Sequence, residues 1–263
     1  MGRDEEITLS FISPLKIMEW PLRKAQKKLK KSAIWIQYKR YNNLDRNHQF
    51  PVASVDWLIH REIVYGGIQK GVTRRKVSPQ DPRTEKIVGT AGMRGGDRML
   101  FHGYAKDYSK YLMPLDRDER LVIAEVGILR GNGLAIWCDL FPNSRILGFD
   151  IDTSHFEENR QNLLDRGAFS SNNPETHTYD QFVPGETILS EILHGDKIDV
   201  CIDDGCHLDE AILCTLKSVM PHLSDRFLYF IEDNSSVHRV IESQYPDLDV
   251  SHQRQMTIVS RKY

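Results

Sequence analysis

Beyond residue 120 the chain repeats one pattern. A short, unbroken apolar run leads to a glycine-bearing or acidic turn, and a longer stretch follows with apolar residues three and four positions apart. The runs near 121–126, 145–150, 176–179, 198–203, 226–232 and 254–260 mostly lack the alternation of a half-exposed strand, so they read as strands buried on both faces. The stretches near 133–141, 153–166, 186–194, 208–220 and 235–244 read as helices. Alternating strands and helices predict the α/β class: a doubly wound, mostly parallel sheet with helices on both faces.

Two of these strands end in acid. Val200, Cys201 and Ile202 run into Asp203-Asp204-Gly205-Cys206-His207, and Phe227 to Ile231 run into Glu232-Asp233-Asn234. In an open α/β sheet the carboxyl ends of the strands face the ligand crevice. Carboxylate oxygens gathered there suit a hard divalent ion such as Mg²⁺ or Mn²⁺, and an imidazole beside them suits proton abstraction. Taken alone, an Asp-Asp-Gly after a strand also serves as a turn or helix cap.

Upstream, Leu121 to Val126 run into a turn of the form Glu125-x-Gly127-x-x-x-Gly131. This lacks the glycine spacing that brings a helix N-terminus onto a pyrophosphate, which disfavours a dinucleotide. The next strand ends at Asp150, 19 positions after Gly131, where an acid can accept both hydroxyls of a ribose. A nucleoside without pyrophosphate fits.

With these residues the chain resembles class I S-adenosylmethionine-dependent methyltransferases. The resemblance implies that Glu125 to Gly131 cradle the methionine part of the cofactor, that Asp150 is the ribose acid, and that Thr178-Tyr179-Asp180-Gln181 meet the adenine. It also implies a Rossmann-like, seven-stranded sheet whose last strands, within Asp247 to Tyr263, form an antiparallel edge hairpin. Leu134 to Trp137, Phe141-Pro142, Ile202 to His207 and Ile231 to Asp233 narrow it, over roughly residues 100 to 263. They resemble the metal-dependent sugar O-methyltransferases of macrolide tailoring, the mycinamicin 2''-O-methyltransferase type, and the related cephalosporin hydroxylase group.

By that resemblance Asp204, Glu232 and Asp233 hold Mg²⁺ or Mn²⁺ and His207 is the base. The cofactor contacts are Glu125, Gly127, Gly131, Asp150, Asp180, Gln181 and Asp203, with Asp203 either orienting a neighbour or capping its turn. A sugar hydroxyl must lose its proton as it attacks the sulfonium methyl, so the reaction needs both a base and a stabilised oxyanion. The chain departs from the family pattern at Cys206, where serine is usual; a Cys/His nucleophile there lacks an orienting third group, and Cys206 reads as a small packing residue.

Charge divides the chain. Residues 1–100 hold 20 Lys and Arg against 10 Asp and Glu, whereas the remainder holds 15 against 27. The expected division is a basic N-terminal extension, 1–100, acting as a lid, acceptor-binding or oligomerisation region, and a catalytic domain, 101–263. Pro21 to Ile36, with Lys39 and Arg40 following, contains no acid and reads as a basic amphipathic helix whose apolar members are Leu22, Ala25, Leu29, Trp35 and Ile36. It can dock on the second half or on another subunit, which favours a homo-oligomer, or make peripheral contact with an anionic membrane. Nucleic acid is disfavoured for want of any base-directed or RNA-binding signature.

Arg74 to Arg83 reads as a loop or lid. The glycine-rich stretch Thr90 to Arg98 lacks the strand and the Gly-Lys-Ser/Thr ending of a P-loop. His102 and Tyr104 are pocket candidates, and Trp20, Trp35, Tyr38, Trp57 and Tyr65 form either a sugar-binding wall or a small core. Four cysteines without Cys-x-x-Cys spacing, no apolar run of membrane-spanning length and no secretory pattern in Met1 to Glu6 place the chain in the cytoplasm, where it can still sit peripherally on the inner face of a membrane. The function expected is metal-dependent transfer of a methyl group from S-adenosylmethionine to a hydroxyl of a sugar or of a sugar-containing small molecule or glycan. The alternatives are a membrane-associated enzyme acting on a lipid-linked glycan and a non-catalytic binding protein on the same fold.

Overall fold

A computed structural model describes residues 14–73, 76–83 and 93–262, with only the backbone of 14–25 and 27. Met1 to Glu6, Arg74-Arg75, Thr90 to Gly92 and the side chains of Trp20, Leu22 and Ala25 lie outside the described residues. The chain divides into two compact units, 1–44 and 45–263. Residues 45–100, grouped with the basic half by charge, thus fall in the unit that holds the sheet.

In the first unit α1 (Pro14–Asn42) is longer than the basic segment alone predicts. Lys39 and Arg40 in its last turn complement the helix dipole. Leu29 is 70% and Ile36 69% exposed.

The second unit opens with α2 (Val55–Val64), where the Ser54 hydroxyl accepts the Trp57 amide and satisfies one orphan donor of the first turn. The short strands β1 (Gln69–Val72) and β2 (Met93–Gly95) pair antiparallel. Then come α3 (Ala105–Leu112), β3 (Val122–Val126), α4 (Asn132–Leu140), β4 (Arg145–Asp150), α5 (Ser154–Asp165), β5 (Glu175–Thr178), α6 (Glu186–Leu193), β6 (Ile198–Asp203), α7 (Asp209–Val219), β7 (Leu223–Ile231), α8 (Val237–Gln244), β8 (Leu248–Gln253) and β9 (Met256–Arg261).

The large sheet has seven strands in the order β5-β4-β3-β6-β7-β9-β8. The first five in sequence are parallel, and β9 runs antiparallel to both β7 and β8. This is the Rossmann-like methyltransferase fold, edge hairpin included. All five residues of β3 are buried, as a central parallel strand requires. One face of the sheet buries Val126, Phe149 and Tyr229 with Leu189, Leu216 and Ile241 from α6, α7 and α8. On Tyr108 of α3 meet Trp137 of α4 and Phe230 of β7, at ring-centroid distances of 5.2 and 4.7 Å. Trp57 and Tyr65 are 5% and 1% exposed, which makes them core residues rather than a sugar-binding wall. Because strand order reverses at β3, the crevice opens at the carboxyl ends of β3 and β6, where the acid-tipped loops emerge.

Candidate active site

A cavity of about 370 Å³ occupies that crevice. Its floor is the strand ends: Val126, Gly127 and Leu129 after β3, Asp150 to Asp152 after β4, Tyr179 to Phe182 after β5, Asp204 to His207 after β6, and Glu232 and Asp233 after β7. Ser78, Asp81 and Arg83 line it from the loop expected to act as a lid, where Arg83 pairs with Asp81 at 2.6 Å and donates to the Cys206 sulfur at 3.0 Å. Cys206 itself is buried, and no disulfide joins the four cysteines.

Two loops set the acidic centre. His207 and Asp233 both take left-handed backbone, with φ of 61° and 55°. Non-glycine residues rarely adopt it without compensation. The Asn234 side-chain amide donates to the His207 carbonyl at 3.0 Å and to Asp209 at 2.7 Å, tying the loop after β7 to the loop after β6. Asp204, His207 and Asp233 each offer a ligating atom, all within 4.8 Å of one another. The His207 Nδ1 is buried without a hydrogen-bond partner.

A segment outside the sheet grips these acids. Arg98 reaches Glu125 at 2.6 Å, Asp204 at 2.7 Å and Glu232 Oε1 at 2.9 Å, and Tyr108 donates to the same Glu232 oxygen. His102 meets Asp233 at 2.9 Å and Asp97 at 3.5 Å, and the Tyr104 hydroxyl donates to Asp233 at 2.5 Å. Burial acts to raise Asp233, but the His102 and Tyr104 hydrogen bonds outweigh it and hold the carboxyl down at about 2. Those same bonds to Asp233 and Asp97 lift His102 to about 10. Burial pushes Glu232 well above the carboxylate range, against the pull of Arg98 and with a further push from Asp204. Glu125, also raised by burial, accepts the Trp137 indole N–H at 3.0 Å.

Arg98 is held in turn from below. Glu62 of α2 accepts the backbone N–H of Met99 at 2.9 Å and of Leu100 at 3.4 Å. Burial lifts Glu62 to about 7, against the Met99 hydrogen bond and the charge of Arg98.

The expected cofactor residues divide. Asp150 lines the cavity while accepting the amides of Leu129 at 2.9 Å and Asp152 at 3.0 Å, and Asp180 lines it while accepting the Phe182 amide at 3.0 Å. Glu125 and Gly127 line a smaller adjoining cavity of about 60 Å³, with Asn132 and Gly133. The Arg98 Nη1 and the Asn132 Oδ1, both in residues lining that smaller cavity, are buried without partners. Gln181 also lines the large cavity, yet its amide is engaged inside the protein: it donates to Asp203 at 2.8 Å and Thr215 at 3.1 Å and accepts the Cys206 N–H at 2.6 Å.

Asp203 is 1% exposed behind the loop, held by Gln181 and by the Tyr229 hydroxyl at 3.0 Å, and raised by burial to about 6. It orients Gln181 and does not line the cavity. The glycines also serve packing. A Cβ on Gly127 would sit 2.3 Å from the Asp204 carbonyl oxygen, and one on Gly131 would sit 2.3 Å from the Phe156 ring.

Arg98, Glu62 and Tyr108 are not visible in the motifs. An arginine opening the run Arg98-Met99-Leu100-Phe101, and an acid between Arg61 and the apolar Ile63-Val64 at Glu62, are the signals that point to them, since a charge beside apolar residues is buried only when paired.

No family model matches the chain. It is 26% identical over 173 residues to the 8-demethyl-8-alpha-L-rhamnosyl tetracenomycin-C 2'-O-methyltransferase of Streptomyces olivaceus, covering 61% of this chain and 41% of that protein. It is 25% identical over 149 residues to the mycinamicin VI 2''-O-methyltransferase of Micromonospora griseorubida, covering 51% and 32%. A solved structure of the MycE methyltransferase from the mycinamycin biosynthetic pathway, in complex with Mg and SAH, matches 62% of this chain and 50% of that one at 20% identity and a TM-score of 0.48. The resemblance read from the motifs therefore has its counterpart in curated proteins, and the matched region spans less than half the length of either relative.

Proposed function

We propose that this chain carries a divalent-metal-assisted O-methyltransferase site, which moves the methyl group of S-adenosylmethionine to a hydroxyl of a sugar or sugar-bearing small molecule. The observation that carries this reading is the convergence of Asp204, His207 and Asp233 within 4.8 Å beside a cavity that also reaches Asp150. The names of the curated relatives support the reaction class, and the rhamnosyl group in the name of the Streptomyces olivaceus protein supports a sugar hydroxyl.

The residues present fit both groups. Asp204 and Asp233 bring carboxylate oxygens together beside His207, a donor set that suits a hard divalent ion. Asp204 and Asp233 would hold that ion, either Mg²⁺ or Mn²⁺, with Glu232, which lies outside the Asp204–His207–Asp233 cluster, as the third carboxylate. Asp150 would accept the ribose hydroxyls and Asp180 would border the adenine. Glu125, Gly127 and Gly131 would surround the amino-acid end, with the unpartnered Arg98 Nη1 and Asn132 Oδ1 close by. Bound there, the cofactor supplies an electrophilic methyl group and the ion neutralises charge on the acceptor oxygen.

His207 takes the proton from the acceptor hydroxyl as that oxygen attacks. Its loop is fixed for this by the Asn234 bond to its carbonyl. Gln181 and Asp203 keep the floor rigid from behind. The products are a methyl ether and S-adenosylhomocysteine. The test is methyl transfer from labelled S-adenosylmethionine to deoxysugar glycosides, with and without EDTA: transfer that chelation abolishes and Mg²⁺ or Mn²⁺ restores supports the reading. Cofactor binding without turnover on any hydroxyl acceptor would favour a binding protein.

A second reading concerns where the acceptor lies. Exposed Leu29 and Ile36 on the lysine-rich α1 favour contact with an anionic membrane and a lipid-linked acceptor. No helix among the described residues is long and apolar enough to cross a membrane. Co-sedimentation with phosphatidylserine vesicles separates the two.

A further inference from the structure

We propose that Arg98 is the positioning residue of the divalent-ion site: a resident cation that pre-sets the carboxylates of Asp204 and Glu232, and that stays in place when an ion binds. The inference rests on the metal-assisted reading above and extends it to a residue outside the sheet.

Arg98 bridges both strand-end loops and the floor strand, through Asp204, Glu232 and Glu125. Its side chain is 10% exposed, and the guanidinium lies over the Trp137 ring, 5.7 Å from the centroid. A planar fork can address three carboxylates at fixed angles, whereas an ammonium is a point charge without that geometry. The bonds are also one-sided. Arg98 takes Oδ2 of Asp204 and Oε1 of Glu232, so one oxygen of each carboxylate is fixed and the direction of the other follows. Outer partners that orient ligating carboxylates in this way govern affinity by about 10- to 100-fold.

One guanidinium meets Asp204, Glu232 and Glu125 at once, and Glu62 anchors the Arg98 segment by the backbone amides of Met99 and Leu100. The arrangement holds the acids of both strand-end loops in a fixed orientation before any ion binds.

The test is Mn²⁺ titration of the full-length chain, followed by electron paramagnetic resonance of the free ion, for wild type, R98K and R98Q. R98K keeps the charge and so guards against a simple folding defect, which circular dichroism checks. The expected result is a Kd for Mn²⁺ raised roughly 10- to 100-fold in both variants. Unchanged or tighter Mn²⁺ binding in folded R98K and R98Q overturns the proposal, the tighter case meaning that Arg98 competes with the ion. Absence of Mn²⁺ binding by the wild type would sink the metal-assisted reading as well, so the two failures are told apart.

Discussion

The Asn234 side chain donates to the main-chain carbonyl of His207 at 3.0 Å, 27 positions away in sequence, and so links the two left-handed loop residues, His207 and Asp233. The same Asn234 accepts the Val237 amide at 2.8 Å, capping α8. Asn234→Ala removes the cap and the cross-loop bonds together. Thermal unfolding should show a loss of about 1–2 kcal/mol, and turnover should fall by more than the stability change explains at temperatures where the variant is folded. Wild-type turnover in a merely destabilised variant would mean that the loop geometry is not what the reaction uses.

His207→Ala should lower methyl transfer by about 10²- to 10⁴-fold, the usual contribution of a general base. Affinities for Mn²⁺ and S-adenosylhomocysteine should stay nearly constant. The ring's ligating atom lies within 4.8 Å of those of Asp204 and Asp233, which makes the metal titration informative. A large loss of Mn²⁺ affinity in this variant would recast His207 as a ligand and leave the proton to another group.

Glu62 supplies a pH-dependent term in stability. Burial holds it at about 7 in the folded chain, above its ordinary range, so the folded state binds more protons than the unfolded one between about pH 4.5 and 7. Stability from this group is fully present at the acid end of that window and falls as pH rises through it, by at most about 3 kcal/mol. Glu62→Gln should flatten the dependence of unfolding free energy on pH in that window, measured by urea denaturation. Identical slopes in wild type and variant would contradict the assignment.

What the sequence made legible follows from the range of the interactions. Strands such as Val122–Val126 and Ile198–Asp203 are continuous apolar runs because both their faces are covered, so burial is written locally. The acids at their ends are legible for the same reason: topology alone sends them to the crevice. The roles of Arg98 and Glu62 are not, because their partners lie 106 and 37 positions away, at Asp204 and Met99. Nor could the motif show that Gly127 and Gly131 make room for the Asp204 carbonyl and the Phe156 ring, or that Gln181 uses its amide to lock Cys206 and Asp203. Those are packing relations between separate loops, fixed only when the sheet assembles.

The acids that would bind the ion should be separable from the acid that would bind the cofactor. Asp204→Ala should abolish activity and Mn²⁺ binding while S-adenosylhomocysteine still binds, since Asp204 belongs to the cluster with His207 and Asp233 and pairs with Arg98. Full activity of this variant, or of the wild type in EDTA, would remove the ion from the account.

The proposed S-adenosylmethionine site is the crevice at the carboxyl ends of β3, β4 and β6. Isothermal titration calorimetry of the full-length chain with S-adenosylhomocysteine addresses it without knowledge of the acceptor. The expected result is saturable binding by the wild type, a rise in thermal midpoint with ligand because only the folded state binds it, and markedly weaker binding by folded Asp150→Ala. Absence of heat with both S-adenosylhomocysteine and S-adenosylmethionine, together with an unmoved thermal midpoint, would contradict it.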